Sequence, residues 1–350
     1  FHTKLSLVRG EIILSRPQEP KPPFPYRSTE VEFENPDAGI TLSGTLTTPR
    51  EDQPCPLVII ISGSGPQDRD GLVFGHKPYL VLGDHLTRNG IAVFRFDERG
   101  VGKSGGTFET ATVEDHISDV DAALRHLGET YPKKFSSIGL IGHSLGGIVA
   151  SEMAAERDDI DMLILLASPG VDGITLMLQQ KEDIERGMGV GDLQIAIGQN
   201  QFRGAYELIA SHSGDTESLR DSLQNYFLSV WGPAVPEQQR TQVVDQVMIP
   251  ELIDILRSEP ALYLQKVSCP VLAITGSKDV QVASEPNLSA IRDALESGGN
   301  QNATIIELPD LNHIFQESET GMPSEYAEIP QTMSPKALEA ISAWIKELDN

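Results

Sequence analysis

The chain alternates between short, continuous apolar runs and longer segments whose apolar residues recur every three or four positions. The runs are typical of strands buried on both faces of a sheet, and they lie at residues 57–61, 91–94, 138–141, 162–166, 271–274 and 304–308. Upstream, two segments alternate apolar and polar side chains across a short turn, at residues 29–35 and 40–48. Such alternation predicts an antiparallel hairpin with one face exposed to water. The pattern thus predicts a mostly parallel, eight-stranded sheet.

Helical spacing fills most of the intervals between these strands. Amphipathic helices are predicted at residues 78–89, 113–129, 145–156, 285–296 and 334–348. In the second of them one apolar stripe is formed by Ile117, Val120, Ala123, Leu124 and Leu127. Because strands and helices alternate, we expect helices on both faces of the sheet and therefore an α/β fold.

Residues 170–266 interrupt this alternation. They are mostly amphipathic helix by pattern and contain no convincing buried strand. An insertion of this size over the carboxyl ends of the strands would act as a lid. The predicted organisation is a proline-rich N-terminal arm at residues 1–28, a first core part at 29–169, the helical lid insertion at 170–266 and a second core part at 267–350.

The net charge limits the partners that we expect. The 51 acidic and 27 basic residues give a formal charge of −24 over 350 residues, which repels the phosphates of nucleic acid and anionic lipid head groups. The longest stretch without a formal charge, residues 135–151, is too short and too rich in glycine to span a bilayer. We expect neither nucleic-acid binding nor membrane insertion. The sequence does not determine the oligomeric state, and it is compatible with a homo-oligomer.

Cys55 and Cys269 are the only cysteines. They offer neither a disulfide framework nor a CxxC metal site, and no metal is expected. In the usual strand order two other strands would separate them, so we expect both thiols to be free. The chain begins at Phe1 rather than methionine, from which we expect that an upstream segment has been removed.

The candidate chemistry begins with Gly-His-Ser-Leu-Gly-Gly at residues 142–147, between an apolar run and a helical segment. This is GxSxG in the context that it requires, a strand, a sharp turn and a helix. The turn would hold Ser144 in a strained conformation with its hydroxyl exposed, while Gly142 and Gly146 let the neighbouring backbone pass. A glycine-rich loop without chemistry is the alternative, and the context argues against it. Ser144 is the predicted nucleophile.

A serine nucleophile needs a histidine to take its proton and a carboxylate to hold that histidine. In folds that carry GxSxG between a strand and a helix, the acid follows a late strand, and the histidine follows a strand further along the chain. Asp279 follows the seventh predicted strand, and His313 is the only histidine that follows a C-terminal strand. Asp310 is an alternative acid but is more natural as a turn former, and Asp172, after the preceding strand, is another. The predicted triad is Ser144, Asp279 and His313.

Acyl transfer also needs backbone N–H groups that stabilise an oxyanion. The sequence predicts the amide of Leu145, which follows the nucleophile, and the amide of Ser64, in the loop after the first buried strand, with Gly65 as the alternative. The polar run at residues 67–70 either positions the substrate or only stiffens this loop. The predicted substrate contacts are Gly65, Gln67, His143 and Trp231.

Residues 100–105, GVGKSG, satisfy a GxGxxG pattern and contain GKS. A Walker A loop would need glycine where this chain has Asp97, and no helix opens at Gly105. We interpret the segment as a tight loop in which Asp97, Glu98 and Arg99 make local hydrogen bonds and ion pairs. No nucleotide cofactor is expected.

Three motifs occur in order: SGSGPQDRDG after the third predicted strand, FRFDERGVGKSGG at the fourth, and GHSLGG at the sharp turn of residues 142–147. GSKD and LNHIF follow downstream. Together they resemble the α/β-hydrolase superfamily, specifically its bacterial esterase and serine-aminopeptidase-like group, over about residues 29–348. The resemblance implies an α/β-hydrolase fold with Ser144 as nucleophile, Asp279 as acid and His313 as base. Ser62 departs from the pattern, since many relatives have histidine there. Members with such proline-rich arms resemble exported proteins, which favours a periplasmic or secreted setting.

These residues predict a carboxylic ester hydrolase that forms an acyl-enzyme with a small-molecule ester and needs no metal or organic cofactor. A peptidase or amidase with the same triad is the closest alternative, and its substrate amine would need acidic side chains such as Glu182, Asp183 or Glu185. A thioesterase and a non-catalytic ligand-binding protein are further alternatives. The insertion also offers apolar side chains that are more typical of its own core than of a substrate wall: Met177, Met188, Phe202, Tyr206, Phe227 and Trp231.

Overall fold

Eight strands and eleven α-helices make up the part of the chain that the computed structural model describes, residues 16–51 and 53–349. The strands are β1 (Arg27–Asn35), β2 (Ile40–Thr48), β3 (Cys55–Ile61), β4 (Ala92–Phe96), β5 (Phe135–His143), β6 (Met162–Leu166), β7 (Val271–Gly276) and β8 (Ala303–Leu308). The helices are α1 (Pro78–Arg88), α2 (Val113–Thr130), α3 (Leu145–Glu156), α4 (Gly173–Gly187), α5 (Asp192–Ser211), α6 (Thr216–Trp231), α7 (Glu237–Val247), α8 (Pro250–Arg257), α9 (Pro260–Leu264), α10 (Ser284–Ser297) and α11 (Pro335–Leu348). Residues 1–15 of the predicted arm lie outside the described residues.

All eight strands join one sheet in the order β1-β2-β4-β3-β5-β6-β7-β8. The first two form the predicted antiparallel hairpin, and β2 also runs antiparallel to β4. Every other neighbouring pair is parallel. The carboxyl ends of β3, β5, β7 and β8 therefore lie at the same edge of the sheet, where the predicted site residues follow them.

Both faces of the sheet are covered, as the continuous apolar runs predict. Along β3, Leu57, Ile59 and Ile61 belong to the apolar layer that includes residues of α2, α3 and α10, whereas Val58 and Ile60 belong to a second layer. That second layer includes residues of α1 and α11. Burial of a side chain of this size stabilises the fold by about 1.5–3 kcal/mol, so the two layers of helices hold the sheet rigid beneath the site.

The chain between β6 and β7 consists of the helices α4 to α9. Helices α4 to α8 enclose a separate apolar core, in which the side chains of Ile209, Leu223 and Phe227 are completely buried. We use the term helical insertion for residues 170–266, the boundaries that the sequence predicts. Two of its helices, α4 and α8, approach the carboxyl edge of the sheet.

The described end of the arm is bound to the core. The guanidinium of Arg16 donates to the carbonyl oxygen of Phe74 at 3.1 Å and to that of Ala327 at 2.8 Å.

In the sheet, β5 and β6 separate the strand of Cys55 from the strand that follows Cys269, and both thiols are free, as expected. Among the described residues, none of the helices has the length and apolarity needed to cross a bilayer.

Candidate active site

The turn between β5 and α3 consists of Ser144 alone. Its backbone has φ 54° and ψ −123°, a conformation that costs a residue with a side chain about 1–3 kcal/mol. A Cβ atom on Gly146 would lie 2.3 Å from the carbonyl oxygen of Ile61, and one on Gly142 would lie 2.3 Å from that of Gly146. Only glycine permits these approaches, which force the strained turn and turn Ser144 toward the cavity.

Asp279 and His313 form a buried pair beside this turn. The Nδ1 atom of His313 lies 2.8 Å from Oδ2 of Asp279, and the other carboxylate oxygen accepts the N–H groups of Gln281 and Val282, each at 2.8 Å. With Nδ1 donating to the carboxylate, Nε2 is the basic nitrogen of the ring. His313 and Ser144 line the same cavity, so the structure brings the three residues of the predicted triad together.

His143, next to Ser144, is buried and joins the predicted triad to the loop after β3. Its Nε2 lies 3.0 Å from the carbonyl oxygen of His313, which only accepts, so Nε2 carries the proton. Its Nδ1 therefore accepts the hydroxyl of Tyr79 at 3.0 Å, and the same hydroxyl oxygen accepts the N–H of Gly63 at 3.1 Å. Burial, together with the charge of His313, lowers the pKa of His143 to about 3. His143 is thus a neutral link between two parts of the site.

The loop at residues 62–67, which we call the oxyanion loop, presents three consecutive N–H groups near Ser144. The N–H of Gly63 donates to Tyr79, and that of Gly65 donates to Oε2 of Glu251 at 3.1 Å. Between them, the N–H of Ser64 finds no acceptor among the described residues. Ser64 stays the predicted second donor, and the N–H of Gly65, its predicted alternative, is engaged by Glu251. Leu145 is the first residue of α3, where a helix leaves its N–H groups unpaired.

A cavity of about 550 Å³ opens above Ser144, a size typical of small-molecule sites. The helical insertion forms one wall through α4 and α8, and the start of α1 and the loops after β3, β7 and β8 form much of the rest. Glu251 is the one carboxylate among the described residues that line it. Much of the wall is apolar, including Phe74, Leu176, Met177, Ile249, Leu252 and Ile255. Within residues 16–51 and 53–349, no cluster of three or more His, Cys, Asp or Glu side chains is arranged to hold a metal ion.

Comparisons with known proteins agree with this architecture. Residues 71–183 match the family model described as "Hydrolase_4: Serine aminopeptidase, S33". The chain is 26% identical to the esterase EstD of Thermotoga maritima over 99% of this chain and 79% of that protein. Two solved structures share its fold: an esterase of Pyrococcus furiosus, Pf2001, with a TM-score of 0.56, 19% identity and coverage of 92% and 90% of the two chains, and the hypothetical protein PA2218 of Pseudomonas aeruginosa, with a TM-score of 0.57, 16% identity and coverage of 99% of each. The chain has the α/β-hydrolase fold and is similar to the esterase-like group of these enzymes. It is an enzyme of the carboxylic ester hydrolase type.

The alternative acids have other roles in this α/β-hydrolase. Asp310 has φ 64° in an exposed turn, where its carboxylate lies 3.1 Å from Nζ of Lys278. Asp172 caps α4, since its carboxylate accepts the N–H of Thr175 at 3.0 Å. Asp279 is thus the acid that contacts His313.

Hydrogen bonds to Asp97 hold the GVGKSG segment in a tight loop. The carboxylate of Asp97 accepts the N–H of Lys103 at 2.9 Å, and its carbonyl oxygen accepts the hydroxyl of Ser104 at 2.6 Å. Arg69 and Asp97 form an ion pair at 2.8 Å. The groups that would cradle a phosphate are therefore used by Asp97, in agreement with a tight structural loop.

One predicted substrate contact of the α/β-hydrolase is wrong for this cavity. Trp231 packs on Phe227 in the core of the insertion, with ring centroids 4.5 Å apart, and its indole N–H donates to Gln201 at 3.0 Å. Gly65, Gln67 and His143 do line the cavity, although the ring nitrogens of His143 are both engaged. Of the apolar residues of the insertion singled out in the sequence, Met177 lines the cavity, and Met188 is 70% exposed.

The acidic residues predicted as candidates for binding a substrate amine lie outside the cavity lining. Glu182 pairs with Arg186 at 2.9 Å, Glu185 pairs with Lys181 one helical turn away, and Asp183 accepts the side-chain amide of Gln179 at 2.9 Å. Each of them is used within α4.

Sequence reasoning missed Tyr79 and Glu251. Tyr79 lies in the apolar stretch of α1, where nothing distinguishes a core tyrosine from one that binds an active-site loop. Glu251 lies 186 positions from Gly65, in a region that shows only helical spacing. Neither has a motif, and only the packing of the insertion on the sheet reveals them.

Proposed function

We propose that this α/β-hydrolase is a serine carboxylesterase that cleaves small to medium-sized, uncharged carboxylic esters through an acyl-enzyme. The observation that carries the proposal is the Asp279–His313 pair at 2.8 Å, beside a strained Ser144 and at the base of a largely apolar cavity. The similarity to EstD, an esterase, supports the same reaction class.

In the proposed reaction the Ser144 hydroxyl oxygen attacks the ester carbonyl carbon while Nε2 of His313 takes the hydroxyl proton. The carbonyl oxygen becomes an oxyanion, which the N–H groups of Leu145 and Ser64 stabilise. The intermediate collapses, the bond to the alcohol oxygen breaks, and His313 returns the proton to the leaving alcohol. Water, deprotonated by His313, then attacks the acyl carbon and releases the acid and Ser144.

The lining of the cavity supports an uncharged substrate. Its apolar wall favours the alkyl parts of an ester, and Glu251, the one carboxylate among the described lining residues, is engaged with the N–H of Gly65. An aminopeptidase would need free carboxylates for a substrate ammonium group. Because the family model is described as a serine aminopeptidase, peptide substrates belong in the test.

The test is hydrolysis of p-nitrophenyl esters from acetate to palmitate, with aminoacyl p-nitroanilides alongside, by the wild type and Ser144→Ala. We expect ester hydrolysis with a maximum at short or medium acyl chains, and a loss of about 10⁴-fold or more in the variant. Glu182→Ala, a change outside the cavity, is the control and should keep wild-type activity.

Each other outcome contradicts the proposal in a different way. Faster turnover of anilides than of esters would identify a peptidase, and preferential turnover of acyl thioesters would identify a thioesterase. A folded wild type that hydrolyses no substrate and is not labelled by a serine-directed phosphonate would be a binding protein. Full activity of Ser144→Ala would remove Ser144 as nucleophile.

A further inference from the structure

Two buried carboxyl groups from distant parts of the chain hold the oxyanion loop. Glu98, after β4, accepts the hydroxyl of Ser62 at 2.6 Å and the N–H of Gln67 at 2.9 Å, one with each oxygen. Glu251, in α8 of the helical insertion, accepts the N–H of Gly65 at 3.1 Å. The two glutamates are 5% and 7% exposed. The loop is thus fixed at both ends by Glu98 and near its middle by Glu251.

His116, in α2, faces both glutamates. Its Nε2 lies 3.7 Å from Oε1 of Glu251, and neither atom has a hydrogen-bond partner among the described residues. Burial would lower the pKa of His116, but the negative charges of Glu251 and Glu98 outweigh it and raise this pKa above its usual value. A positively charged His116 lowers the cost of burying negative charge beside it, since an unpaired buried charge is costly, although burial still raises the pKa of Glu98 to about 7.

The hydrogen bond to Glu251 acts on the peptide that adjoins the oxyanion donor. Gly65 has φ 88°, and an added Cβ there would meet nothing within 4 Å, so it has no side chain of its own to hold it and that side of its Cα faces open space. Glycine is the residue with the greatest backbone freedom. The N–H of Gly65 points to Glu251 and that of Gly63 points to Tyr79, which leaves the N–H of Ser64 for the cavity.

We propose that Glu251 is a positioning residue for ester hydrolysis: supported by His116, it anchors Gly65 and thereby aims the N–H of Ser64 at the oxyanion. The inference rests on the proposed function, because it assigns the oxyanion to this loop. It also means that the helical insertion completes the oxyanion hole, in addition to forming a wall of the substrate cavity.

The experiment compares Glu251→Ala, Glu251→Gln and Leu252→Ala in steady-state hydrolysis of p-nitrophenyl butyrate. Loss of one oxyanion donor costs about 10²–10³-fold in kcat, so loss of its anchor in Glu251→Ala should lower kcat about 10–100-fold with KM within about threefold. Glu251→Gln keeps an oxygen acceptor and should recover most of that loss. Leu252→Ala, a neighbouring cavity residue, should act mainly on KM.

A second readout isolates the oxyanion. The Ser144 hydroxyl adds to the carbonyl carbon of an alkyl trifluoromethyl ketone. The carbonyl oxygen then becomes an oxyanion that faces the same N–H donors. The inhibition constant of the ketone should rise in Glu251→Ala in proportion to the loss in kcat/KM, whereas that of the carboxylic acid product should stay within about twofold. If Glu251→Ala does not fold, Glu251→Met, which keeps the volume but not the acceptor, gives the same comparison.

Two results would overturn the inference. One is a folded Glu251→Ala or Glu251→Met enzyme with kcat within twofold of the wild type. The other is a reduced kcat with unchanged binding of the trifluoromethyl ketone, which would mean that Glu251 does not act through the oxyanion. Both differ from failure of the proposed function, in which Ser144→Ala stays active or the wild type hydrolyses no ester.

Discussion

His143 provides a quantitative test of the hydrogen-bond network beside Ser144. Its two ring nitrogens have fixed and opposite roles, Nε2 donating to the carbonyl of His313 and Nδ1 accepting from Tyr79. A second proton would have to sit on Nδ1, opposite a hydroxyl whose oxygen already accepts the N–H of Gly63. Burial, and then the charge of His313, lower the pKa of His143 from 6.5 to about 3.

The sign and size of the effect on stability follow from proton linkage. Below pH 6.5 the unfolded chain binds a proton at His143 and the folded protein does not, so the free energy of unfolding falls as the pH falls. The stabilising contribution is complete above pH 6.5 and is lost progressively toward the folded pKa of about 3. Between pH 7.5 and 5.5 the loss from this one group is about 1 kcal/mol.

The assay is urea unfolding of the wild type and His143→Gln at pH 7.5 and 5.5, both above the isoelectric point of 4.6. Glutamine offers an N–H to the carbonyl of His313 and does not titrate. The free energy of unfolding of the wild type, relative to that of the variant, should therefore fall by about 1 kcal/mol at the lower pH. Ser144→Ala, which removes no titratable group beside it, is the control and should follow the wild type. If the difference in free energy of unfolding between the wild type and His143→Gln is the same at both pH values, a neutral, buried His143 is refuted.

Two further substitutions test the site and the insertion. Tyr79→Phe leaves Gly63 and His143 without their shared partner, and we expect kcat to fall about 10-fold with little change in KM, as a misplaced oxyanion loop requires; ester kinetics check this, and a kcat within twofold of the wild type would contradict it. Phe227→Ala removes a completely buried ring from the core of the insertion and should lower the free energy of unfolding by about 3–5 kcal/mol. Urea unfolding measures it, and a loss below 1 kcal/mol would mean that this core is not tightly packed.

The strands and helices were predictable because their signals are local. A continuous apolar run such as residues 57–61 predicts burial on both faces, and the spacing in residues 113–129 predicts one apolar helix face. The ends of the strands were less predictable, since backbone pairing with a neighbouring strand decides where a strand begins and ends. β3 begins at Cys55 because that residue pairs with Phe135 of β5, and no count of apolar residues reports such a pairing.

The predicted triad followed from one local motif and the order of the strands. Ser144 lies in a turn that its own glycines enforce, and the residues after the strands of a parallel sheet meet at one edge. Trp231 was mispredicted because helical spacing does not tell which apolar side of a helix faces a cavity and which faces a core. Glu251 could not be predicted, because its contact with Gly65 depends on how the whole insertion packs on the sheet.

The helical insertion leaves the sheet after β6, returns before β7 and has its own core. In protein engineering such a segment is a natural cassette, which can be exchanged between relatives without cutting a strand. Here the cassette carries the group that accepts the N–H of Gly65. A chimera whose new insertion lacks an acceptor at this point would change substrate choice and lose turnover in the same step. The insertion chosen for a chimera of this enzyme should therefore carry an acceptor at the position of Glu251.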